Sequence, residues 1–479
     1  MKKNLPFVAV LLCLAAGLFY FCQSARPPIN ALEIPGAEEE ENRELREEWD
    51  RMRLGDPETG QIPKGISRKE RLFAAGLPMA ATERSGPEWD SRGPWNVGGR
   101  TRALAIDVTD ENRILAGGVS GGIWLSEDGG QTWTRRTPLN ALPSCVSIAQ
   151  DTRPGHTDTW YYLSGELYGN SAGATGAYYL GDGAFKSTDG GLTWAPLGAT
   201  DNGSVESFTE SWQGCWRIAT NPAVAEDEVY AAVYGTIYKS TNGGTSWTVA
   251  LNSPTSYATD VAVASTGTVY ATISSDGVAG GFWRYQNGVP WTKINPDTSA
   301  GFPANFDRFV IGINPNNENE VYFLGSTPGS GHFNEYLNSI DWTSLWKYTY
   351  VSGDGSGAGG QWEDLSENLP NIGTEFDRFA AQGGYDLVVK VQPGTNSVFV
   401  GGTNIYRSTD GFSTPNNNTQ IGGYKPGTFL PFFEIYPNHH PDQHDMLFLP
   451  SNPDVLITAS DGGVHRTNDA NAATVTWTP

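Results

Sequence analysis

The segment His439-His440-Pro441-Asp442-Gln443-His444-Asp445 places three of the six histidines of the chain side by side. In an extended strand, side chains alternate between faces, so His440, Asp442 and His444 would share one face. Imidazole and carboxylate at that spacing suit a divalent metal such as zinc. The same groups could act as acid and base, or close a channel as a hydrogen-bonded polar plug. Asp461 and His465 follow in the same stretch. Glu166, in Ser164-Gly165-Glu166-Leu167-Tyr168, opens a long loop containing Tyr178 and Tyr179, rings of the kind that stack on sugars. Two carboxylates facing one cleft, Glu166 with Asp442 or Asp461, would support glycoside hydrolysis, one as acid and one as base or nucleophile. Arg100, Arg102, Arg217, Asp307, Arg308 and Asp386 each stand at or just before an apolar run, where they could bind a ligand or bridge neighbouring sheets.

The elements that must position these groups come from an internal repeat. Ser126-Glu-Asp128-Gly-Gly-Gln-Thr132-Trp133 returns as Ser187-Thr-Asp189-Gly-Gly-Leu-Thr193-Trp194 and as Ser240-Thr-Asn242-Gly-Gly-Thr-Ser246-Trp247. A shorter copy is Ser408-Thr-Asp410-Gly411, and Arg466-Thr-Asn-Asp469 precedes Trp477. Ahead of each copy stand three short β-type runs, such as Ala103–Asp107, Arg113–Ala116 and Gly122–Leu125. The spacing averages roughly 57 residues, room for four short strands with loops, which predicts a propeller blade per unit. Units begin near Arg102, Cys145, Cys215, Ala258, Arg308, Leu387 and Asp445, predicting a seven-bladed all-β propeller of four-stranded antiparallel blades over residues 89–479. The repeated Asp or Asn closes a turn onto backbone amides, its glycines accept positive φ, and the Trp packs between sheets. Asp128, Asp189, Asn242 and Asp410, with Trp133, Trp194 and Trp247, are therefore expected to be structural. Chemistry is expected at the other end of the blades, where the first strands and the turns between second and third strands open on the channel.

Composition narrows the function classes. The 31 basic and 53 acidic residues give a net charge of −22, and 58 glycines and 56 aromatic side chains accompany them. So acidic a chain does not suit nucleic acid or an anionic membrane surface as partner, since both attract basic faces. Met1-Lys2-Lys3 followed by the apolar run Leu5–Cys22 reads as a signal peptide over 1–25, or as an anchor helix, and so predicts export. Residues 26–88 read as an acidic leader, helical up to about Arg53. Cys145 and Cys215 remain in the mature chain; on adjacent first strands of an exported protein they are expected to form a disulfide.

The repeated motif resembles the Asp-box (BNR) repeat. Gly98-Gly-Arg-Thr-Arg-Ala-Leu-Ala-Ile-Asp107 and Ala116-Gly-Gly-Val-Ser-Gly-Gly-Ile-Trp124 are similar to the sortilin-type and xyloglucanase-type propeller superfamily, and in particular to secreted Bacteroidetes propellers with type IX sorting domains. The resemblance implies a seven-bladed propeller at the cell surface or outside the cell. Xyloglucanase-type enzymes carry a catalytic Asp just before the Gly-Gly of the first blade, where this chain reads Val119-Ser120-Gly121-Gly122. The expected function is thus binding of glycans or proteins at the channel mouth. The alternatives are a glycoside hydrolase with a displaced acid pair and a structural part of a larger secreted protein. No cofactor is expected beyond a divalent metal at the histidine cluster.

Overall fold

The computed structural model describes residues 43–77 and 98–479, apart from 138–140, 169, 172–173, 176–178, 202, 204, 206–207, 298–300, 337–338 and 430. The apolar N-terminal run and Tyr178 lie outside the described residues.

Seven antiparallel sheets carry the fold. Their first strands are Thr101–Asp107, Ser147–Gln150, Cys215–Thr220, Thr259–Val263, Phe309–Ile313, Val388–Val391 and Gln443–Leu449. These pack in that order and the seventh returns to the first, so the sheets close as the blades of a propeller. Blade 2 illustrates why the sequence folds this way. Along its second strand, Trp160 and Tyr162 pack toward blade 1 with Leu115 and Ile123. Tyr161 and Leu163 pack toward blade 3 with Ile218 and Val229. Period-2 alternation in a sheet buried on both faces explains the unbroken apolar run Trp160–Leu163. Trp160 is fully buried, and its truncation to alanine would cost about 3–5 kcal/mol.

The ring closes without a shared strand, since the first sheet is built from 101–135 and the last from 443–467. Instead Leu104 N–H donates to Asp445 Oδ2 at 3.1 Å, and Leu104, Ile114 and Ala116 pack on Ile457 and Ala459. Arg466 Nη1 also donates to Gly129 O at 2.9 Å across this seam.

Between third and fourth strands, Asp128 accepts from Thr132 N at 2.8 Å and Thr132 Oγ1 at 2.6 Å, and Ser126 Oγ donates to it at 2.8 Å. Asp189, Asn242 and Asp410 hold equivalent turns. Gly129 and Gly130, at φ 73° and 95°, permit the tight path. Trp133, Trp194 and Trp247 each pack toward the preceding blade.

Two blades depart from four strands. Blade 5 adds His332–Tyr336, paired with the long strand Ser339–Tyr350. Blade 7 is a three-stranded sheet whose outer edge is met by a single bridge, Arg466 to Thr478, next to the buried Trp477.

The expected disulfide is absent: Cys145 and Cys215 are both buried free thiols. Cys145 lies in the layer between blades 1 and 2, Cys215 in the layer between blades 2 and 3. The sheet of blade 2 separates the two layers, and packed sheets stand about 10 Å apart, beyond disulfide reach. Burial pushes both thiols well above the ordinary cysteine value.

Two helices precede the ring. Arg43–Leu54 belongs to a separate compact unit together with the short strands Asn170–Ser171 and Ala174–Thr175; within it Arg53 lies over the ring of Trp49. Ile66–Ala75, which the sequence reading did not anticipate, belongs to the propeller unit. Its Arg68 pairs with Asp201 and its Arg71 stands 3.9 Å from Asp182. Burial and the neighbouring Asp201 push the Asp182 carboxyl up to about 7. Among the described residues no helix is long and apolar enough to cross a membrane.

Candidate functional site at the channel mouth

Five segments meet at one end of the channel: 98–102 leading into blade 1, the loop after the second strand of blade 2, 381–386 leading into blade 6, 439–444 leading into blade 7, and the turn at Asp461. Glu166 is buried at the centre. Its Oε2 accepts from Arg100 Nη1 at 2.6 Å, and its Oε1 stands 3.0 Å from Arg102 Nη1. Arg102 also donates to the carbonyls of Tyr385 at 2.9 Å and Tyr168 at 3.3 Å. Burial pushes the Glu166 carboxyl above the usual glutamate value, while Arg102 and Arg100 oppose that rise.

Arg100 turns its Nε toward Asp461 Oδ1 at 3.4 Å, linking Glu166 to the blade 7 cluster. Asp461 also accepts from His444 Nε2 at 2.7 Å and from the Tyr385 hydroxyl at 2.8 Å. Burial disfavours its ionised form, yet His444, Arg100 and Tyr385 together hold it below the ordinary aspartate value. His444 is pushed down to about 3, first by burial and then by Arg102. It is therefore neutral, donating through Nε2–H, with Nδ1 unpartnered.

A second carboxyl pair lies alongside. Asp386 is fully buried and neither of its oxygens receives a hydrogen from any donor group; it lies within hydrogen-bonding reach of Asp442. Two carboxyls in that position can be reconciled only by a shared proton. Accordingly Asp386 is raised well above the aspartate value by burial and by Asp442. Asp442 is pushed up to about 7 by burial and by Asp461. Asp442 Oδ1 also accepts from Gln382 Nε2 at 3.0 Å. Blade 5 sets this segment in place: Asp341, on its added hairpin, accepts from Ala381 N at 2.5 Å and Gly383 N at 3.0 Å. That clamp supports the positive φ of Gln382 (47°) and Gly383 (65°).

The structure brings Glu166, Asp442, Asp461, His444, Arg100 and Arg102 together and pairs Asp442 with Asp386. It does not align His440, Asp442 and His444 on one face. Asp442 has φ 65° and the strand starts only at Gln443, so the alternation is broken. His440 gives its Nδ1–H to Pro441 O at 2.8 Å, and His444 is committed to Asp461. His439, tucked against Trp477, accepts from Gly423 N and bonds Thr458, a structural role. The grouping of ligand-type side chains seen among the described residues is elsewhere, at Asp151, His156 and Asp227. There the Arg153 guanidinium already supplies the cation, at 2.5 Å from each aspartate.

The remaining candidates line the same end of the channel or brace its wall. Arg308 donates to Gly384 O and Tyr385 O, both at 2.9 Å, and lies 4.9 Å over the Trp216 ring. Burial and the nearby Arg102 push it down to about 9. Arg217 pairs with Asp260 at 3.1 Å, and Asp260 in turn accepts from Ile311 N, so this pair bridges blades. Tyr179 is exposed and pairs its backbone with Glu166. Asp307 is exposed. Tyr168, Tyr257, Tyr385 and Trp216 form a chain of edge-on rings with centroids 5.7–6.1 Å apart. Sequence reasoning had placed Asp386 only as a residue preceding a strand; nothing local in Gly383-Gly384-Tyr385-Asp386 announces that its partner is Asp442.

Fold and site thus define a seven-bladed β-propeller with a buried carboxyl–arginine cluster at one mouth. No protein-family model matches the chain. It is 26% identical over 297 residues to a xyloglucanase from Paenibacillus sp, covering 54% of this chain and 27% of that protein. It is 22% identical over 303 residues to a xyloglucanase from Hypocrea jecorina, covering 61% of this chain and 30% of the other. The chain therefore spans less than a third of the length of these relatives. Among solved structures, a GH74 xyloglucanase from Xanthomonas campestris superposes with a TM-score of 0.53 at 15% identity, over 79% of this chain and 54% of that one. That likeness is one of fold.

Proposed function

We propose that this chain is an exported propeller that engages a glycan at its channel mouth. The observation that carries the reading is the joining of an aromatic chain, Tyr168, Tyr257, Tyr385 and Trp216, to a polar cluster of which Arg100, Asp442 and Asp461 keep partial exposure. Tyr385 and Trp216 are buried supports, whereas Tyr168 and Tyr257 are half-buried and Tyr179 is exposed; accessible rings beside fixed donors and acceptors suit pyranose recognition. Phe429, Phe432 and Phe433, exposed in the loop leading into blade 7, extend an apolar surface. Partial similarity to xyloglucanases supports a polysaccharide as the ligand class. The chain can also be one structural part of a larger secreted protein, a role compatible with glycan engagement.

A specific observation favours a second reading, hydrolysis. Asp442 retains a proton near neutrality while Asp461 is held ionised, the division of states that an acid and a base need. Ser120 stands where xyloglucanase-type enzymes carry an Asp, so any acid pair here is differently placed.

The test is titration of the full chain with xyloglucan and mixed-linkage glucan oligosaccharides, alongside a reducing-sugar assay. Saturable binding lost in Arg100→Ala, without turnover, supports the first reading. Turnover abolished by Asp442→Asn and Asp461→Asn establishes the second. Absence of both binding and turnover across the panel rejects glycan engagement.

A further inference from the structure

At the opposite end of the blades, where the aspartate turns lie, blades 4 and 5 flank a half-open cavity of about 360 Å³. It is walled by the turns bearing Ser265, Thr266 and Thr268 on one side and Asn316, Glu318 and Asn319 on the other, with Tyr270 and Arg284 between them. Arg284 is 3% exposed. The three other arginines buried to this degree among the described residues are compensated. Arg102 has Glu166, Arg153 has Asp151 and Asp227, and Arg407 has the carbonyls of Ala470 and Ala472. Arg284 forms no ion pair among the described residues. It gives Nη2 to Gln286 Oε1 at 3.0 Å and stacks 4.1 Å from the Tyr350 ring centre. Its Nε and Nη1 lack a hydrogen-bond partner, and the Tyr270 hydroxyl, within hydrogen-bonding reach of the guanidinium, brings no charge to balance it.

A guanidinium does not shed its charge at physiological pH, so buried donors left this way call for an acceptor. The carboxylate in the wall does not fill that role: Glu318 accepts from Ser265 N at 2.7 Å and Thr266 N at 3.2 Å. The Gly353–Gly360 loop closes over this arginine. Gly355 has φ 89°, and a Cβ there would come within 2.4 Å of Tyr348 Oη and 3.1 Å of Arg284 Cδ.

We propose that the cavity binds a small polyhydroxylated carboxylate, a sugar acid of the uronate class. Its carboxylate meets the free edge of Arg284, whose planar fork suits that group. Its hydroxyls meet Thr266, Thr268 and the amide side chain of Asn319, while Asn316, bonded to Gln392 O, Thr395 O and Gly394 N, fixes the wall. The volume lies at the lower end of the small-ligand range, as one sugar ring requires. The site is remote from the channel mouth and does not depend on the function proposed there.

Calorimetric titration and thermal melting of the full chain with sodium glucuronate, against glucose at matched ionic strength, test this. Saturable glucuronate binding with a Kd on the order of 1 mM or tighter is expected, at least tenfold stronger than glucose. Arg284→Lys should weaken it at least tenfold. Because Arg284 also stacks on Tyr350, a second variant keeps it in place: Asn319→Trp, at an exposed position, blocks the cavity and should abolish binding with an unchanged melting temperature. Failure of glucuronate to saturate, equal affinity for glucose, or undiminished binding in both variants overturns the proposal.

Discussion

At one end of the blades Asp128 accepts hydrogen bonds from the Thr132 hydroxyl and amide, from Ser126 and from Gln131 N, and its carboxyl is lowered to about 2. At the other end Asp386 and Asp442 face each other with a shortage of donors and are raised. The same side chain is thus a fixed anion in one place and a proton holder in the other. The difference follows from what surrounds the oxygens. The turn aspartates lie at the surface among local donors supplied by their own motif; Asp386 is fully buried, Asp442 is half-buried, and the two carboxyls meet from distant segments. Conspicuous recurrence in a sequence marked the scaffold, and the group with unusual proton chemistry was an aspartate that recurs nowhere.

The largest effect expected from breaking this contrast is at Glu166. Glu166→Gln leaves Arg100 and the buried Arg102 without their shared anion, and loss of about 3–5 kcal/mol of stability is expected by denaturant titration. A loss below about 1 kcal/mol would mean that Asp461 and the backbone carbonyls suffice to hold the arginines.

The next effect is pH dependence. A carboxyl whose folded pKa is raised favours folding while it keeps a proton that the unfolded chain has lost. Its contribution is full below the unfolded value near 3.8 and is lost as pH rises through about 7 for Asp442 and Asp182. Thermal stability should therefore decline from about pH 5 to pH 8, by a few degrees. Asp386→Asn gives Asp442 a hydrogen-bond donor in place of a rival carboxylate. It should flatten that decline and raise stability at pH 8 relative to the parent chain; an unchanged pH profile would show that the two carboxyls do not share a proton. The smallest effect is at the solvent-exposed turn: Asp128→Ala should lower the melting temperature by no more than about 2 °C and leave the pH 5–8 slope as it was.

Much of this was legible in the sequence because its signals are local. The Ser-x-Asp-x-Gly-x-Thr-Trp copies fixed the turn between third and fourth strands, since every donor that Asp128 uses lies within four residues of it. Unbroken apolar runs such as Trp160–Leu163 marked sheets buried on both faces, and their spacing counted the blades. Gathering of Glu166, Asp461 and His444 at one mouth followed from closing the ring. What failed were inferences about side-chain direction. Cys145 and Cys215 sit on neighbouring blades but point into different layers. His440, Asp442 and His444 alternate only in an ideal strand, and the left-handed backbone of Asp442 ends that regularity.

The repeat, its turns and its apolar alternation thus determined a ring of blades from the sequence alone, because each depends on residues a few positions apart. Which carboxyls meet, and which arginine is left with unfilled donors, was decided only in three dimensions. Asp386 is 56 residues from Asp442, Glu166 is 66 from Arg100, and the walls of the Arg284 cavity come from two different blades. Protonation and pairing depend on distance and burial in space, and neither varies smoothly with separation along the chain.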